Sequence, residues 1–519
     1  MAKPQKDFLV QLINALSKNE KRNFRLFVNR NNPKGDKLFM SLFEVLSKIG
    51  HYDEQIILQR IPNIKKTQLS NLKANLYRQI LSSLRLYEKK NMVDISIREQ
   101  LDYAIILHAK GFYQASLDIL HKAKKQAADI QHFPLLLSIL NFERRIESFY
   151  VTGNTFGKME RLEQESQEIV SKISHNNRLA NLSLSMYAHH LKYGFARDAK
   201  DRAFIKDYFQ NELKGLDIEK MDFYEKMYLY QSYIWYYHMT VDFQNYYKYS
   251  HRLLELFNNH PDIKARESSL YLKALNNLLN SVFLLERADK FEPLYRELLE
   301  FTDQQAAPLR QHTISQWHFY RHIHSLNRCF LLGTYSELAG SFSELETLLQ
   351  HNPMQWDDNR QMLLNYKIAC VHFGNNDWNK SIHFLNQINW QTPSNFREDL
   401  QCFARILSLI AHFELGNLQL LKHQIKSTYR FIAKMDELQQ VQIEIFQFLK
   451  KIPRMKEMDL QPAFVSLHKK LVELEKNPFE RRPFLYLDII SWLESKIKGL
   501  PIEVVIREKK EGVPWKGKG

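Results

Sequence analysis

The sequence predicts an all-α protein made of stacked antiparallel helix hairpins, with a small helical domain of different composition at residues 1–96. Three observations predict this fold class. Apolar residues recur at helical spacing along almost the whole chain. Glycine and proline together supply 30 of 519 residues, which is about half of the average share of roughly 12%. Short breakers, each followed by an aromatic residue or a leucine and a new apolar run, recur along the chain.

The N-terminal domain is predicted from caps and from helical periodicity. Ser17 and Glu20 form a capping-box pattern, which predicts a helix start at about residue 18. Further helices are predicted over about 35–49, 53–60 and 67–89. On the last of these, one apolar stripe must pack against the rest of the domain: Leu69, Leu72, Leu76, Ile80, Leu84 and Tyr87.

The larger part of the chain, residues 97–475, is predicted to consist of repeated hairpins. Five equivalent joints between paired helices are Val241, Asp289, Gly333, Asn376 and Gly416, at spacings of 48, 44, 43 and 40 residues. A recurrence in this range is typical of an α-solenoid, in which each unit packs on its neighbours.

The residues around these joints resemble those of the tetratricopeptide-repeat family. In that repeat the joint is followed by an aromatic residue and by small or apolar positions that lock the two helices together. The matching residues are Tyr113, Ser116, Leu120 and Ala123 after Gly111, and Trp378, Ser381, Leu385 and Ile388 after Asn376, with Ala369 in the first helix. The resemblance implies a right-handed superhelix. The helices should be longer than in the family, whose period is about 34 residues, and most units lack the family's first-helix Trp and closing Pro.

The C-terminal part of the chain is predicted to close the array. Residues 476–499 suit a helix that caps the last repeat, because a solenoid needs a terminal element with one polar face. Residues 500–519 are predicted to be a flexible tail.

The expected location is cytoplasmic, without a membrane span. The first residues lack the long apolar run of a signal peptide, and no stretch reaches about 18 consecutive apolar residues. Cys329, Cys370 and Cys402 are too few and too scattered for a disulfide framework. We expect them to be buried as small hydrophobic residues.

Positive charge is concentrated in the N-terminal fifth of the chain. The net charge is +15, and residues 1–100 hold 19 Lys or Arg against 9 Asp or Glu. Candidate contacts with an acidic partner or with nucleic acid are Lys18, Arg22, Arg25, Lys65, Lys66, Asn71, Asn75, Arg78 and Arg85. Arg and Asn on one helix face suit phosphates and base edges. Docking to an acidic protein, or a plain solvated surface, is the favoured interpretation of this face.

A second candidate surface is aromatic. Residues 223–249 carry 12 aromatic side chains in 27 residues, pointing in every direction around the helix. One hypothesis is a groove for a protein or peptide, lined by Tyr228, Tyr233, Trp235, Tyr237 and Tyr246, since such side chains are enriched in interface cores. The alternative is a central helix that is buried on all faces.

The sequence predicts no catalytic site, metal site or cofactor. It contains no phosphate-binding glycine loop, no nucleophile elbow and no zinc-protease motif. His318 and His322 are four residues apart, with His324 close by, and this spacing can present two imidazoles to one ion. No third ligand is evident nearby, so surface or capping histidines are predicted instead.

These observations lead to a hypothesis of a non-enzymatic interaction scaffold or adaptor whose superhelical groove binds another protein or peptide. The alternative hypothesis is a nucleic-acid-binding regulator with a helix-turn-helix-like domain at residues 1–96. That arrangement resembles, in outline, the peptide-sensing bacterial regulators that join such a domain to tetratricopeptide-like repeats.

Overall fold

All regular secondary structure in the described part of the chain is helical. The structure, a computed structural model, describes residues 7–31, 38–89, 92–150, 155–196, 198–304, 309–352, 354–389, 398–433, 440–477, 480 and 488–512. These residues form 26 α-helices and one short 3₁₀ helix, and none of them lies in a β-strand. The chain divides into two compact units, residues 1–175 and residues 176–519.

The first unit contains two separate hydrophobic cores. Its helices are α1 (Phe8–Ala15), α2 (Lys18–Asn31), α3 (Leu38–Ile49), α4 (Glu54–Arg60), α5 (Lys66–Glu88), α6 (Val93–Ala109), α7 (Tyr113–Asp129), α8 (Phe133–Glu147) and the first part of α9 (Thr155–Tyr193). Helices α1–α5 enclose one core around Phe24, Leu42, Phe43 and Leu76. Helices α6–α9 enclose the other around Ile97, Leu120 and Ile139.

The predicted helices of the N-terminal domain are confirmed. Helix α2 begins at Lys18, and its capping box is formed: the Ser17 N–H donates to Glu20 Oε2 at 2.6 Å, and the Glu20 N–H donates to Ser17 Oγ at 3.2 Å. Helices α3, α4 and α5 follow the predicted order, although residues 35–37 lie outside the described part of the chain. At Asp53 a carboxylate oxygen accepts the Ile56 N–H at 3.0 Å and fixes the start of α4.

The second unit is one long succession of helices. Its helices after α9 are α10 (Ala199–Leu213), α11 (Phe223–Met239), α12 (Phe243–Asn258), α13 (Pro261–Arg266), α14 (Ser268–Leu284), α15 (Ala288–Glu300), α16 (Gln311–Leu332), α17 (Tyr335–Ala339), α18 (Ser343–His351), α19 (Asp358–Gly374), α20 (Trp378–Asn389), α21 (Glu398–Glu414), α22 (Leu418–Ile432), α23 (Gln440–Lys451), α24 (Glu457–Glu475), α25 (Ile489–Lys498) and α26 (Ile502–Lys510). Most of them pack against the next helix or the next but one, and one apolar cluster extends from Phe223 to Ile506. The 39-residue helix α9 departs from the predicted hairpin pattern.

Six helix-to-helix turns share one backbone geometry. A residue with φ between 54° and 81° stands at the centre of each: Gly111, Gln131, Val241, Glu286, Asn376 and Gly416. In every case the N–H of this residue donates to the carbonyl three positions earlier, and the following N–H donates to the carbonyl five positions before itself. This is the Schellman motif, which satisfies the last carbonyls of the first helix and ends it.

The predicted joints are confirmed at Val241, Gly333, Asn376 and Gly416, which all have positive φ. The prediction of Asp289 is wrong, because Asp289 lies inside α15 and the turn is centred on Glu286. An acidic residue in the first turn of a helix is favoured by the helix dipole, so Asp289 marks a helix start and not a joint. With Glu286 in its place, the spacings become 45, 47, 43 and 40 residues.

Two hairpins share a buried side-chain hydrogen bond. Ser116 Oγ donates to the Ala104 carbonyl at 2.7 Å, and Ser381 Oγ donates to the Ala369 carbonyl at 3.0 Å. All four residues are fully buried. Each bond joins the position seven residues before the turn to the position five residues after it, so the two hairpins are equivalent in register and in side-chain chemistry.

Replacing Gly416 by alanine should lower the free energy of unfolding by about 1 kcal/mol. The cost is conformational, because φ is +71° and an added Cβ would meet no atom within 4 Å. Gly340 is the matched control, since its Cβ would also meet nothing within 4 Å and its φ is −86°. Gly340→Ala should be neutral or slightly stabilising. Denaturant midpoints of the two variants measure the difference, and equal midpoints would contradict the assigned role of the turn.

The predicted C-terminal elements need one correction. The capping helix is present as α25, although residues 478–479 and 481–487 of its predicted range lie outside the described residues. The prediction of a flexible tail is wrong for residues 500–512, because α26 buries Ile502, Val505 and Ile506. Their i, i+3, i+4 spacing is the apolar pattern that sequence reasoning missed. Residues 513–519 lie outside the described part of the chain.

Helix α26 packs onto the end of α16. The Arg507 Nε donates to the Gly333 carbonyl at 3.1 Å, and the Lys510 Nζ donates to the Leu331 carbonyl at 2.5 Å. Ser336 Oγ donates to Glu503 at 3.0 Å. The last carbonyls of α16 therefore have partners that come from a distant part of the sequence.

Across the described ranges, no helix combines the length and the apolar character that crossing a membrane requires.

Candidate functional site

Helix α5 has the two faces that its sequence predicts. Leu69, Leu76 and Ile80 are buried in the core of α1–α5, and Leu72 and Leu84 pack against that core. Arg78, Ser82 and Arg85 are exposed. The apolar stripe therefore holds α5 in the domain and leaves the polar face open to solvent.

A groove runs along this open face. It has a volume of about 380 Å³ and is lined by Leu38, Ile64, Gln68, Asn71, Leu72, Asn75 and Arg78. Leu38, Ile64 and Leu72 supply an apolar wall, while Gln68, Asn71 and Asn75 supply carboxamide groups and Arg78 supplies one cation. We call this feature the α5 groove.

Three of the predicted contact residues are already paired within the chain. Arg25 donates to both carboxylate oxygens of Glu44, at 2.7 and 3.1 Å. This contact lowers the pKa of Glu44 below its ordinary value. Lys66 lies 2.8 Å from Glu54, and Arg85 lies 3.0 Å from Asp102. These three cations are partly neutralised before any partner arrives.

The other four predicted cations share one environment. Lys18, Arg22, Lys65 and Arg78 are exposed, and none of their charged groups has an ion pair with another described residue. Of the nine predicted contacts, the structure brings Asn71, Asn75 and Arg78 together in the α5 groove and places the other six outside its lining. Sequence reasoning missed Leu38, Ile64 and Gln68. Only Gln68 carried a local signal, since it precedes Asn71 and Asn75 by three and seven residues on the same helix face.

The aromatic helix α11 has no exposed residue. The Tyr233 ring stacks on those of Tyr249 and Tyr237, with centroids 4.1 and 5.9 Å apart. The Trp235 ring lies against Tyr187 at 4.8 Å and against His190 at 5.3 Å. The structure therefore favours the alternative of a central helix, because every residue of α11 is either buried or half-buried.

The packing of α11 tests the predicted aromatic groove. Tyr246 is buried with 4% of its surface exposed, so its place in the lining of an open groove is wrong. Tyr228, Tyr233, Trp235 and Tyr237 are half-buried and pack against neighbouring hydrophobic side chains. Burial raises the pKa of Tyr233 to about 12. These four rings therefore contribute to the packing of neighbouring helices and keep only part of their surface for a partner.

The three histidines of α16 occupy two different environments. His324 is fully buried, and its Nε2–H donates to Asn276 Oδ1 at 3.0 Å while its Nδ1 accepts from Asn327 Nδ2 at 3.3 Å. Lys367 donates to Asn327 Oδ1 at 2.7 Å and completes this network. Desolvation, with a smaller contribution from Lys367, lowers the pKa of His324 to about 3.

His318 and His322 face Glu344 of α18. One ligand atom from each of the three side chains lies within 4.8 Å of the other two. Burial, reinforced by Arg321, lowers the pKa of His322 to about 4 and shifts the pKa of His318 in the same direction. The prediction of surface or capping histidines is wrong for His322 and His324, which are both buried.

The prediction of buried cysteines is confirmed for Cys329 and Cys402, whereas Cys370 is half-buried. Cys329 and Cys402 are buried, and all three cysteines are free thiols. Burial raises the pKa of Cys329 and of Cys370 to about 12, which keeps both as protonated thiols at neutral pH.

No family model, no curated protein and no solved structure matches this chain. What the protein binds must therefore be inferred from its own side chains.

Proposed function

We propose that the chain is a non-enzymatic interaction scaffold built on tetratricopeptide-like repeats in a right-handed superhelix, and that its α5 groove docks a segment of another protein. The repeat part rests on the backbone geometry shared by six helix-to-helix turns and on the spacing of 40 to 47 residues between the successive joints Val241, Glu286, Gly333, Asn376 and Gly416. The hydrogen bonds of Ser116 and Ser381, which occupy the same position relative to their turns, support the equivalence of these two hairpins as repeats.

The lining of the α5 groove is the observation that carries the docking proposal. Arg78 is exposed and has no ion pair with any described residue, so its planar guanidinium is free to bind a carboxylate in a bidentate manner. Asn71 and Asn75 can donate to and accept from a peptide backbone. Leu38, Ile64 and Leu72 offer an apolar wall. The best-matched ligand is a segment with an Asp or Glu next to an apolar side chain.

The same observations weigh against nucleic acid as the ligand. Binding along a phosphate backbone needs several unpaired cations in a row. Arg25, Lys66 and Arg85 already have carboxylate partners. An apolar wall with a few polar groups that set the orientation is typical of a ligand pocket, and it is not a row of phosphate contacts. The nucleic-acid regulator remains the alternative hypothesis, supported by exposed Lys18, Arg22 and Lys65.

Selection of peptides from a random displayed library on the full-length chain tests the proposal. We expect enrichment of sequences with Asp or Glu adjacent to Leu, Ile, Val or Phe. Arg78→Glu should weaken binding of a selected peptide by roughly 10- to 100-fold, because it removes a charge-assisted hydrogen bond and introduces repulsion. The protein should keep its stability within about 0.5 kcal/mol, as expected at a surface position.

Arg22→Glu is the matched control. It makes the same charge change at an exposed arginine that lies outside the groove lining, so peptide binding should stay unchanged. A salt titration with a short DNA duplex and with single-stranded RNA provides the competing outcome. Tight, strongly salt-dependent binding that both charge reversals weaken, together with no enriched peptide motif, would support the nucleic-acid regulator and reject the scaffold.

A further inference from the structure

We infer that His318, His322 and Glu344 form a binding site for a divalent transition-metal ion, and that zinc best suits this ligand set. Two imidazoles and one carboxylate are a known set of protein ligands for zinc, with one coordination position left open. This inference is independent of the α5 groove, which lies in the other compact unit.

The three side chains converge from two helices. His318 and His322 are four residues apart on α16, so they project from one face, and their rings are nearly parallel with centroids 6.4 Å apart. Glu344 comes from the first turn of α18. The ligand atoms are within 4.8 Å of one another, whereas zinc with bonds of about 2.0–2.2 Å would hold them roughly 3.4 Å apart. Glu344 is exposed, so its side chain can rotate toward the two imidazoles, whose own χ rotations must supply the rest of the closure.

Unpartnered nitrogen atoms give a second and independent indication of a ligand. The Nδ1 of His318 and the Nε2 of His322 are buried and have no hydrogen-bond partner among the described residues. The His322 side chain is about nine-tenths buried, with 9% of its surface exposed. Buried polar atoms nearly always have a partner, and an orphan is one sign of a missing ion. His324 of the same helix provides the contrast, because both of its ring nitrogens are bonded to asparagines.

The surroundings of the site limit access by water and leave one competing charge. The Trp317 ring lies edge-on to His318 at 4.9 Å, and the Trp356 ring lies edge-on to His322 at 6.4 Å. Arg321 contacts Glu344 at 3.4 Å and would have to release it when a metal binds. Arg321 is therefore expected to oppose metal binding both by its charge and by its hold on Glu344.

Zinc titration of the full-length, chelator-treated protein tests the inference. We expect one zinc ion per chain at this site by calorimetry, a rise in the melting temperature, and visible absorption bands of a tetrahedral centre when cobalt replaces zinc. Glu344→Gln and His318→Gln should each lower the affinity at least tenfold, and His322→Ala should abolish binding. Arg321→Gln should raise the affinity several-fold. Glu346→Gln, on the same helix, is the matched control and should leave the affinity unchanged.

The result that would overturn the inference is equally specific. Absence of zinc binding by the wild-type chain would overturn it. Wild-type zinc affinity in Glu344→Gln or in His318→Gln would also overturn it, because the ion would then bind elsewhere. His322 is buried, so His322→Ala could fail to fold. Glu344→Gln changes only an exposed side chain, which keeps the test decisive in that case.

Discussion

Replacing Trp492 by alanine is expected to lower the free energy of unfolding by about 3–5 kcal/mol. Trp492 of α25 is fully buried, with its ring packed at 5.7 Å from Phe464 and at 6.5 Å from Phe448. Its Nε1–H donates to Glu414 Oε1 at 2.7 Å. The substitution opens a cavity. It also removes the hydrogen-bond donor to Glu414, whose carboxylate is only 7% exposed.

Two further variants separate these contributions. Trp492→Phe keeps most of the ring and removes only the donor, so it should cost about 1–3 kcal/mol. Met458→Ala, at a side chain that is 76% exposed in neighbouring α24, should stay within about 0.5 kcal/mol of wild type. Urea unfolding followed by circular dichroism measures all three. A Trp492→Ala midpoint equal to that of Met458→Ala would contradict the assigned packing.

The second large effect is a loss of stability in acid that comes from the buried histidines of α16. The pKa of His324 is lowered to about 3 and that of His322 to about 4, whereas an unfolded histidine titrates near 6.5. Below pH 6.5 the unfolded chain therefore binds protons that the folded chain does not bind. Stability is fully present above pH 6.5 and falls by about 1.4 kcal/mol per pH unit for each such histidine, until its folded pKa is reached.

The structure gives this effect a specific cause at His324. Protonation would place a second N–H on Nδ1, which faces the amide nitrogen of Asn327, and Lys367 already occupies the Asn327 carbonyl oxygen. Over the window from pH 6.5 to about pH 3, His324 alone should account for roughly 3–5 kcal/mol.

Urea midpoints of wild type and of His324→Gln between pH 7 and pH 4 test this prediction. The variant should be less stable at pH 7, because it disturbs the asparagine network, but its stability should fall less steeply as the pH decreases. His351→Gln, at an exposed histidine, should retain the wild-type slope. If the stability of wild type and of His324→Gln fell with the same slope as the pH decreased, the prediction would be contradicted. His324 would then bind its proton in the folded protein.

Local signals in the sequence account for most of the correct fold predictions. The capping box at Ser17 and the apolar stripe of α5 depend on residues within a few turns of each other, so they could be read directly. Glycine joints such as Gly333 and Gly416 are visible for the same reason. The turn at Glu286 was misplaced because a long-chain residue there adopts a conformation usually taken by glycine, and nothing in its local sequence marks it.

Features that depend on tertiary contacts could not be predicted. Glu344 is 22 residues from His322 and belongs to another helix, so sequence spacing could not join it to the two histidines. Likewise, the basic face was predicted from helix periodicity alone. That pattern places Arg25 and Lys66 at the surface, but it does not show that Glu44 and Glu54 come within ion-pair distance.

The contact between α26 and the end of α16 has a consequence for biosynthesis. Arg507 is 174 residues after Gly333, whose carbonyl it binds. At a translation rate of about 5–20 residues per second, roughly ten to thirty seconds pass between the synthesis of the two residues. During that interval the nascent chain exposes the end of α16, which makes it a site where a chaperone can act before α26 arrives.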